Sequence, residues 1–155
     1  MLNKRALISI TILVTLVDQL TKLWAQNNLN YAASKVFIPE TIQLRLVKNT
    51  GAAFSFLSGS TYLLGLFSFL VSIALITWIF RNAPLSTFKG IGCSFLLGGT
   101  LGNGIDRWLQ GSVTDFIELT HINFPIFNIA DIAINIAVIC LLIENIYKKN
   151  GSRNF

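Results

Sequence analysis

Residues 62–80 read YLLGLFSFLVSIALITWIF, a stretch of 19 residues without one charged side chain. A helix that crosses the hydrocarbon core of a bilayer needs about 20 such residues. The whole 155-residue chain has the same character, because only 12% of its residues are charged and its mean hydropathy is +0.63. A soluble domain carries about 25% charged residues. This composition argues against a soluble enzyme or a nucleic-acid-binding chain and predicts an integral membrane protein.

Three further windows are long and apolar enough to be spans, at about residues 6–24, 88–108 and 127–147. We therefore predict an all-α membrane protein with four transmembrane helices, formed by residues 1–155 as a single domain. Between the first two spans, at about residues 27–60, apolar and polar residues alternate as in strands, for example in IQLRLV at 42–47. This segment predicts a small extracytoplasmic β-sheet that lies against the membrane surface.

The positions of the cations predict the orientation of the chain. An even number of spans places both termini on one side, and that side would hold seven Lys and Arg residues against five on the other. Because cytoplasmic loops carry the excess of Lys and Arg, we expect both termini in the cytoplasm.

Polar side chains from four segments are expected at one depth in the membrane. A rise of 1.5 Å per residue places the following near the outer leaflet: Asp18 in the first span, Asn103, Asp106 and Arg107 in the third, Asp115 in the connection after it, and Asn128 and Asp131 at the start of the fourth. Ionisable residues at such depth are costly and usually mark a site or an internal pairing.

Two of these carboxylates suggest a chemistry. If Asp115 folds back over the start of the fourth helix, it meets Asp131, and two adjacent carboxylates share one proton near neutral pH. The ionised partner can then deprotonate a water while the protonated partner donates to a substrate carbonyl. This division of labour hydrolyses a peptide bond without a metal or a covalent intermediate. Either aspartate is a candidate for the base, because such a pair titrates as a unit.

Each polar residue also has a plain structural explanation. Asp106 and Arg107 could form an ion pair at a helix end, and Asp131 could be a first-turn acid that the helix dipole favours. Asp18 and Lys22 are spaced i, i+4, which suits an ordinary ion pair on one helix face.

Other functions and ligands are also open at this point. A transporter would use buried carboxylates to bind protons or cations, although the chain shows no internal repeat and its polar groups are confined to one leaflet. A non-catalytic membrane assembly factor would use them as interhelical pairs. No metal site is predicted, because His121 has no second His or Cys nearby, and we predict no cofactor and no nucleic-acid partner.

Five short motifs follow one another along almost the whole chain. They are DQLTK at residues 18–22, NTGAAFS at 49–55, GGTLGNGIDR at 98–107, GSVTDF at 111–116 and FNIAD at 127–131. In this order, on a chain with four predicted spans, they resemble lipoprotein signal peptidase, also called signal peptidase II, a family of aspartic proteases of bacterial membranes.

The resemblance implies roles for individual residues. The catalytic pair, which we call the dyad, matches Asp115 and Asp131. The residues that would contact the substrate are Asn49, Asn103, Arg107 and Asn128, and those that would support the site are Asp18, Lys22, Gly51 and Asp106. The segment from Asn49 to Phe54 is hypothesised to cover the cleft.

The resemblance also implies a reaction and a location. Members of the family remove the signal peptide from prolipoproteins on the amino side of a diacylglyceryl-modified cysteine. We therefore expect a multi-pass, monomeric endopeptidase of the bacterial cytoplasmic (inner) membrane, with its active site near the outer leaflet. Its expected partners are the lipidated precursor, membrane lipid and a globomycin-type inhibitor.

Overall fold

Long helices and short strands alternate along the chain in the computed structural model, which describes residues 1–51 and 59–151. The elements follow in the order α1 (Lys4–Asn28), β1 (Lys35–Ile38), β2 (Ile42–Asn49), α2 (Thr61–Asn82), α3 (Thr87–Gln110), β3 (Val113–Leu119) and α4 (Ile129–Gly151). The prediction of a helical membrane protein with a small sheet after the first helix is confirmed, and the helix ends lie within a few residues of the predicted ones.

The four helices differ in how they meet lipid. Within the part of the chain that the structure describes, α1, α2 and α4 are long and apolar enough to cross a membrane. The third predicted span, α3, is also long at 24 residues, but it is richer in glycine and polar residues. Because α3 packs against α1, α2 and α4, its sides face protein. The lower apolar content of α3 therefore reflects its central place in the bundle.

Helix α2 places large apolar side chains on the outside of the helix bundle and small residues on the inside. Phe67 and Leu70 are exposed, whereas Gly65, Ser68 and Ser72 form a buried stripe. A methyl group added at Gly65 would touch the Trp108 ring of α3. Small residues at such positions allow two helices to approach closely in a membrane, and they hold α2 against α3.

The sheet contains a strand that the sequence analysis did not predict. Its three antiparallel strands lie in the order β1-β2-β3, so the third strand comes from after α3 and not from residues 27–60. Asp115, expected in a plain connection, lies on β3 opposite Val47 of β2. The sequence VTDFIEL at 113–119 is rich in residues that favour strands, and pairing with β2 satisfies its backbone groups.

The sheet packs on the end of α1. Leu44 and Leu46 of β2 and Phe116 of β3 form a buried cluster with Ala25 and Leu29 at the end of that helix. Burial of these side chains anchors β3 beside the helix bundle. The strand therefore presents Asp115 to the ends of α3 and α4.

A glycine turn connects α3 to β3. Gly111 has a positive φ of 71°, a conformation that is costly for residues with a side chain. Its N–H donates to the Arg107 carbonyl at 3.2 Å and ends the helix. The chain therefore reverses within two residues and β3 begins at Val113.

Candidate active site

The carboxyl groups of Asp115 and Asp131 line the same cavity, which has a volume of about 550 Å³. Asp115 is only 2% exposed, whereas Asp131 is half-buried and faces the cavity. Three more of the predicted site residues, Asn49, Asn103 and Arg107, line the same space. The fold thus brings together residues from β2, β3, α3 and α4.

Asp131 is held at the start of α4 by reciprocal hydrogen bonds with Asn128. The Asp131 N–H donates to Asn128 Oδ1 at 3.0 Å, and the Asn128 N–H donates to Asp131 Oδ2 at 3.1 Å. This is a capping-box arrangement, in which the helix N-terminus also stabilises negative charge. The fourth span, predicted from about residue 127, begins as a helix at Ile129. Asn128 is the residue before the helix, and the first-turn position of Asp131 suits both the structural and the catalytic interpretation.

Asn128 contacts both members of the dyad. Its Nδ2 donates to Asp115 Oδ1 at 2.6 Å, while its backbone and Oδ1 hold Asp131. The side chain is fully buried. A single asparagine therefore fixes the two carboxylates relative to each other.

Two further amides complete the contacts of the dyad. Asn103 Nδ2 donates to Asp131 Oδ1 at 2.8 Å, and Asn49 Nδ2 donates to Asp115 Oδ2 at 2.9 Å. Asn49 reaches Asp115 diagonally across the β2–β3 pair, since its own partner is Val113. From the residues that the structure describes, each carboxylate thus accepts two hydrogen bonds, and every oxygen of the dyad has a partner.

Arg107 extends along the cavity above Asn103. One terminal nitrogen donates to the Gly51 carbonyl at 3.1 Å, and the other lies 3.4 Å from the Asn103 carbonyl. Its Nε is buried and has no hydrogen-bond partner within residues 1–51 and 59–151. Gly51 is also held through its N–H, which donates to Asn49 Oδ1 at 2.9 Å.

An ion pair between Asp106 and Arg107 was one possible structural explanation of these residues, but within the described chain Asp106 pairs with a residue of another helix. Lys22 Nζ of α1 lies 3.3 Å from Asp106 Oδ2 and 2.9 Å from Asp18 Oδ2. The i, i+4 pair between Asp18 and Lys22 is therefore present, but it belongs to a larger group. All three side chains are at most 2% exposed.

Gln19 belongs to the same group and was not among the predicted site residues. Its Nε2 lies 3.0 Å from Asp106 Oδ1 and 3.2 Å from Asp18 Oδ2. We call Asp18, Gln19, Lys22 and Asp106 the Lys22 cluster. The available signal was the position of Gln19 within the DQLTK motif, between two charged residues.

The surroundings of Asp115 change its acidity. Burial, followed by the negative charge of Asp131, raises the pKa of Asp115 to about 7, against the hydrogen bonds from Asn49 and Asn128 and the charge of Lys22. A carboxyl group that keeps its proton near neutral pH can donate that proton in general acid catalysis.

Residues 10–147 match the sequence model of a protein family described as Signal peptidase (SPase) II. The chain belongs to the signal peptidase II family. The resemblance drawn from the five motifs is therefore confirmed, and the chain is a bacterial membrane protein from a family of proteases. Residues 52–55 of the NTGAAFS motif, and with them half of the segment hypothesised to cover the cleft, lie outside the described residues.

Curated signal peptidase II relatives cover nearly the whole chain. The lipoprotein signal peptidase of Parasynechococcus marenigrum (strain WH8102) is 48% identical over 153 residues, which are 99% of this chain and 96% of the relative. That of Streptococcus agalactiae serotype Ia is 38% identical over 147 residues, 94% and 95% of the two chains.

Solved structures agree with the signal peptidase II fold described here. A bacterial membrane enzyme determined by the in meso method at 2.3 Å resolution is similar with a TM-score of 0.89 and 32% identity, covering 97% of this chain and 95% of that one. A second, at 1.9 Å resolution, has a TM-score of 0.82 and 34% identity, covering 91% and 92%.

Proposed function

We propose that the chain is an aspartic endopeptidase that removes the signal peptide from prolipoproteins on the amino side of a diacylglyceryl-modified cysteine. The observation that carries this proposal is the meeting of Asp115 and Asp131 at one cavity, joined through Asn128. Two adjacent carboxyl groups with one shared proton can supply both the base and the acid of peptide hydrolysis.

In this proposal the shared proton resides mainly on Asp115 and the negative charge on Asp131. Asp115 is the more deeply buried of the two, and burial disfavours its charged form. Asp131 is at the N-terminus of α4, where backbone N–H groups stabilise an anion. Asp131 would then deprotonate the attacking water, and Asp115 would donate its proton to the substrate.

The remaining polar residues divide into two groups by their contacts. Asn49, Asn103 and Asn128 donate to the dyad carboxylates and orient them. Arg107 has a buried Nε without a partner in the described chain, beside the cavity. We therefore assign to Arg107 the binding of a substrate backbone carbonyl. Asn49 and Asn103 line the cavity and would also contact the peptide, whereas Asn128 is fully buried and would act only by holding the dyad.

The shape of the cavity suits a substrate anchored in lipid. Ile132, Ile136 and Ile139 of α4 line it, and their spacing places them on one helix face. In our proposal both termini are cytoplasmic and the dyad lies near the outer leaflet of the cytoplasmic membrane, so this face leads from the dyad into the bilayer. An apolar signal peptide or acyl chain would follow it, and a globomycin-type inhibitor would occupy the same cavity.

Replacement of the dyad tests the proposal. We expect Asp115→Asn and Asp131→Asn, each reconstituted in proteoliposomes, to lose cleavage of a lipidated prolipoprotein while remaining folded. The matched control is Glu118→Gln, since Glu118 lies on the same strand but pairs with Arg45 at 2.9 Å, outside the cavity. Cleavage that survives both dyad changes would exclude the proposed mechanism. An unlipidated precursor processed equally well would exclude the proposed specificity.

A further inference from the structure

The Lys22 cluster contacts the backbone next to Asp131. Asp18 Oδ1 of α1 accepts a hydrogen bond at 2.9 Å from the N–H of Ala130, although 112 residues separate the two. Ala130 directly precedes Asp131 in the first turn of α4. A helix leaves its first N–H groups without partners inside the helix, and Asp18 satisfies one of them from outside.

The same cluster contacts the backbone next to Asp115. Asp106 Oδ2 of α3 accepts a hydrogen bond at 2.9 Å from the N–H of Thr114. Thr114 directly precedes Asp115 on β3. Each of the two buried carboxylates of the cluster therefore holds the residue before one member of the dyad.

Lys22 joins these two contacts. Its ammonium group has three N–H donors, and three acceptors surround it: Asp18 Oδ2 at 2.9 Å, Asp106 Oδ2 at 3.3 Å and Asn103 Oδ1 at 2.9 Å. The third contact also orients the Asn103 amide, because it turns Oδ1 toward Lys22 and leaves Nδ2 to donate to Asp131. Lys22 thus connects the supports of both catalytic carboxylates.

Gln19 forms a second, uncharged connection between the same carboxylates. Its Nε2 bridges Asp18 and Asp106 and also lies 3.1 Å from the Gly102 carbonyl.

We propose that the Lys22 cluster is a clamp that sets the separation of the dyad carboxylates, with Lys22 and Gln19 as positioning residues. This inference rests on the proposed function, since it takes Asp115 and Asp131 to be the catalytic pair. The clamp joins α1 and α3 directly to the two backbone segments that carry the dyad. A change in the cluster would therefore alter the distance between the dyad carboxylates without touching the substrate.

The clamp predicts a change that a purely structural role would not produce. The charged groups around the dyad are Asp18 and Lys22 of α1 and Asp106 and Arg107 of α3. Two coupled carboxyl groups titrate at pH values that separate further as the groups approach. When the dyad carboxylates move apart, the two limbs of the pH–rate profile should approach each other. A loss of folded enzyme alone would scale the profile without changing its width.

The experiment compares Gln19→Met and Asp106→Asn with the wild-type chain in proteoliposomes, with rates normalised to folded enzyme. We expect kcat for a lipidated precursor to fall by up to about 100-fold, since an error of about 1 Å in catalytic geometry has that effect. KM should be unchanged and the pH–rate profile narrower. Thr11→Val is the matched control, because it removes another buried contact between α1 and α3, from Thr11 Oγ1 to the Ser94 carbonyl at 3.3 Å. It should leave the profile width unchanged.

Asp115→Asn, assayed in parallel, separates the two proposals. If Asp115→Asn is inactive but Gln19→Met and Asp106→Asn keep the wild-type kcat and profile width, the clamp is wrong and the dyad stands. If Asp115→Asn cleaves normally, the proposed mechanism and the clamp both fail. If Asp106→Asn does not accumulate, the neutral change Gln19→Met decides the outcome by the same criteria.

Discussion

The two halves of α1 contact α3 through different chemistry. In the first half, Leu7 packs with Cys93 and Leu97 of α3, and Thr11 bonds a backbone carbonyl. In the second half, Asp18 and Lys22 are equally buried but form ion pairs that extend to other elements. The contact between α1 and α3 is therefore apolar in the first half of α1, which we call the apolar half, and ionic in the second, which we call the ionic half.

The difference separates what stabilises the bundle from what organises its site. Apolar contact between helices tolerates substitution when volume is kept. A buried ion pair adds little net stability, because removing its charges from water costs about as much as their attraction returns. The ionic half is therefore best explained by positioning, since its carboxylates accept hydrogen bonds from the backbone beside both dyad residues.

The largest effect on this comparison is expected from Lys22→Met. The change leaves two buried carboxylates facing each other without their cation, and breaking a buried pair in this way costs about 3–5 kcal/mol. The corresponding loss for Thr11→Val in the apolar half is about 1 kcal/mol. Thermal unfolding in detergent measures both values.

A double variant checks the cause of that loss. Asp18→Asn combined with Lys22→Met removes one negative charge together with the positive one, so it should be less destabilised than the sum of the two single changes. Full additivity would show that Lys22 does not act through the charge of Asp18. Wild-type stability of Lys22→Met would contradict the whole comparison.

The sequence predicts the apolar half of this comparison better than the ionic half. Membrane spans can be predicted from the sequence because each needs about 20 apolar residues in a row. The i, i+4 pair of Asp18 and Lys22 could also be predicted, because it is a local pattern. The contact from Asp18 to Ala130 joins residues 112 positions apart, and no local spacing encodes it. Strand β3 was missed for the same reason, because its identity depends on pairing with β2 across α2 and α3.

The residues of the site were predictable to a similar extent. Buried charges at one depth pointed to Asp18, Asp106, Asp115 and Asp131, since each is costly in a membrane. Gln19 carries no charge and therefore no such cost, and it escaped notice. The position of Asn128 before α4 depended on a helix end, and helix ends vary by a residue or two.

The next largest effect concerns the pH dependence of the free energy of unfolding, through the titration of Asp115. Asp106, which belongs to the ionic contacts of α1, holds the residue before Asp115. Because the pKa of Asp115 is raised from 3.8 to about 7, the folded chain keeps a proton that the unfolded chain loses. Stability should therefore fall as the pH rises from about 4 to about 7, by about 4 kcal/mol at most, at about 1.36 kcal/mol per unit.

Asp115→Asn should remove this contribution. We expect the stability of the variant relative to the wild type to increase from about pH 5 to about pH 8. Any cost of the amide itself is the same at both pH values and cancels in this difference. Thermal unfolding at the two pH values measures the gain, and Glu118→Gln on the same strand is the control. An equal pH dependence in Asp115→Asn and the wild type would show that Asp115 does not hold its proton near neutral pH.

A smaller effect on stability than that of Lys22→Met comes from a pair of glycines, and it gives the sharpest test of the comparison. Gly98 and Gly102 lie one turn apart on the face of α3 that meets α1. A methyl group at Gly98 would lie 2.7 Å from Val14 Cβ, in the apolar half, whereas one at Gly102 would meet the Asp18 carboxylate. Overpacking of this kind costs about 1–3 kcal/mol, so both alanine variants should unfold at lower temperature by similar amounts.

Only Gly102→Ala should also lower kcat. It displaces the carboxylate that holds Ala130, whereas Gly98→Ala moves apolar side chains that have no contact with the dyad. Stability by thermal unfolding and kcat for a lipidated precursor are measured on the same preparations. Equal losses of kcat in the two variants would mean that both halves of α1 position the dyad, and this would contradict the comparison. A loss confined to Gly102→Ala would separate them, because the two changes add the same methyl group to the same helix.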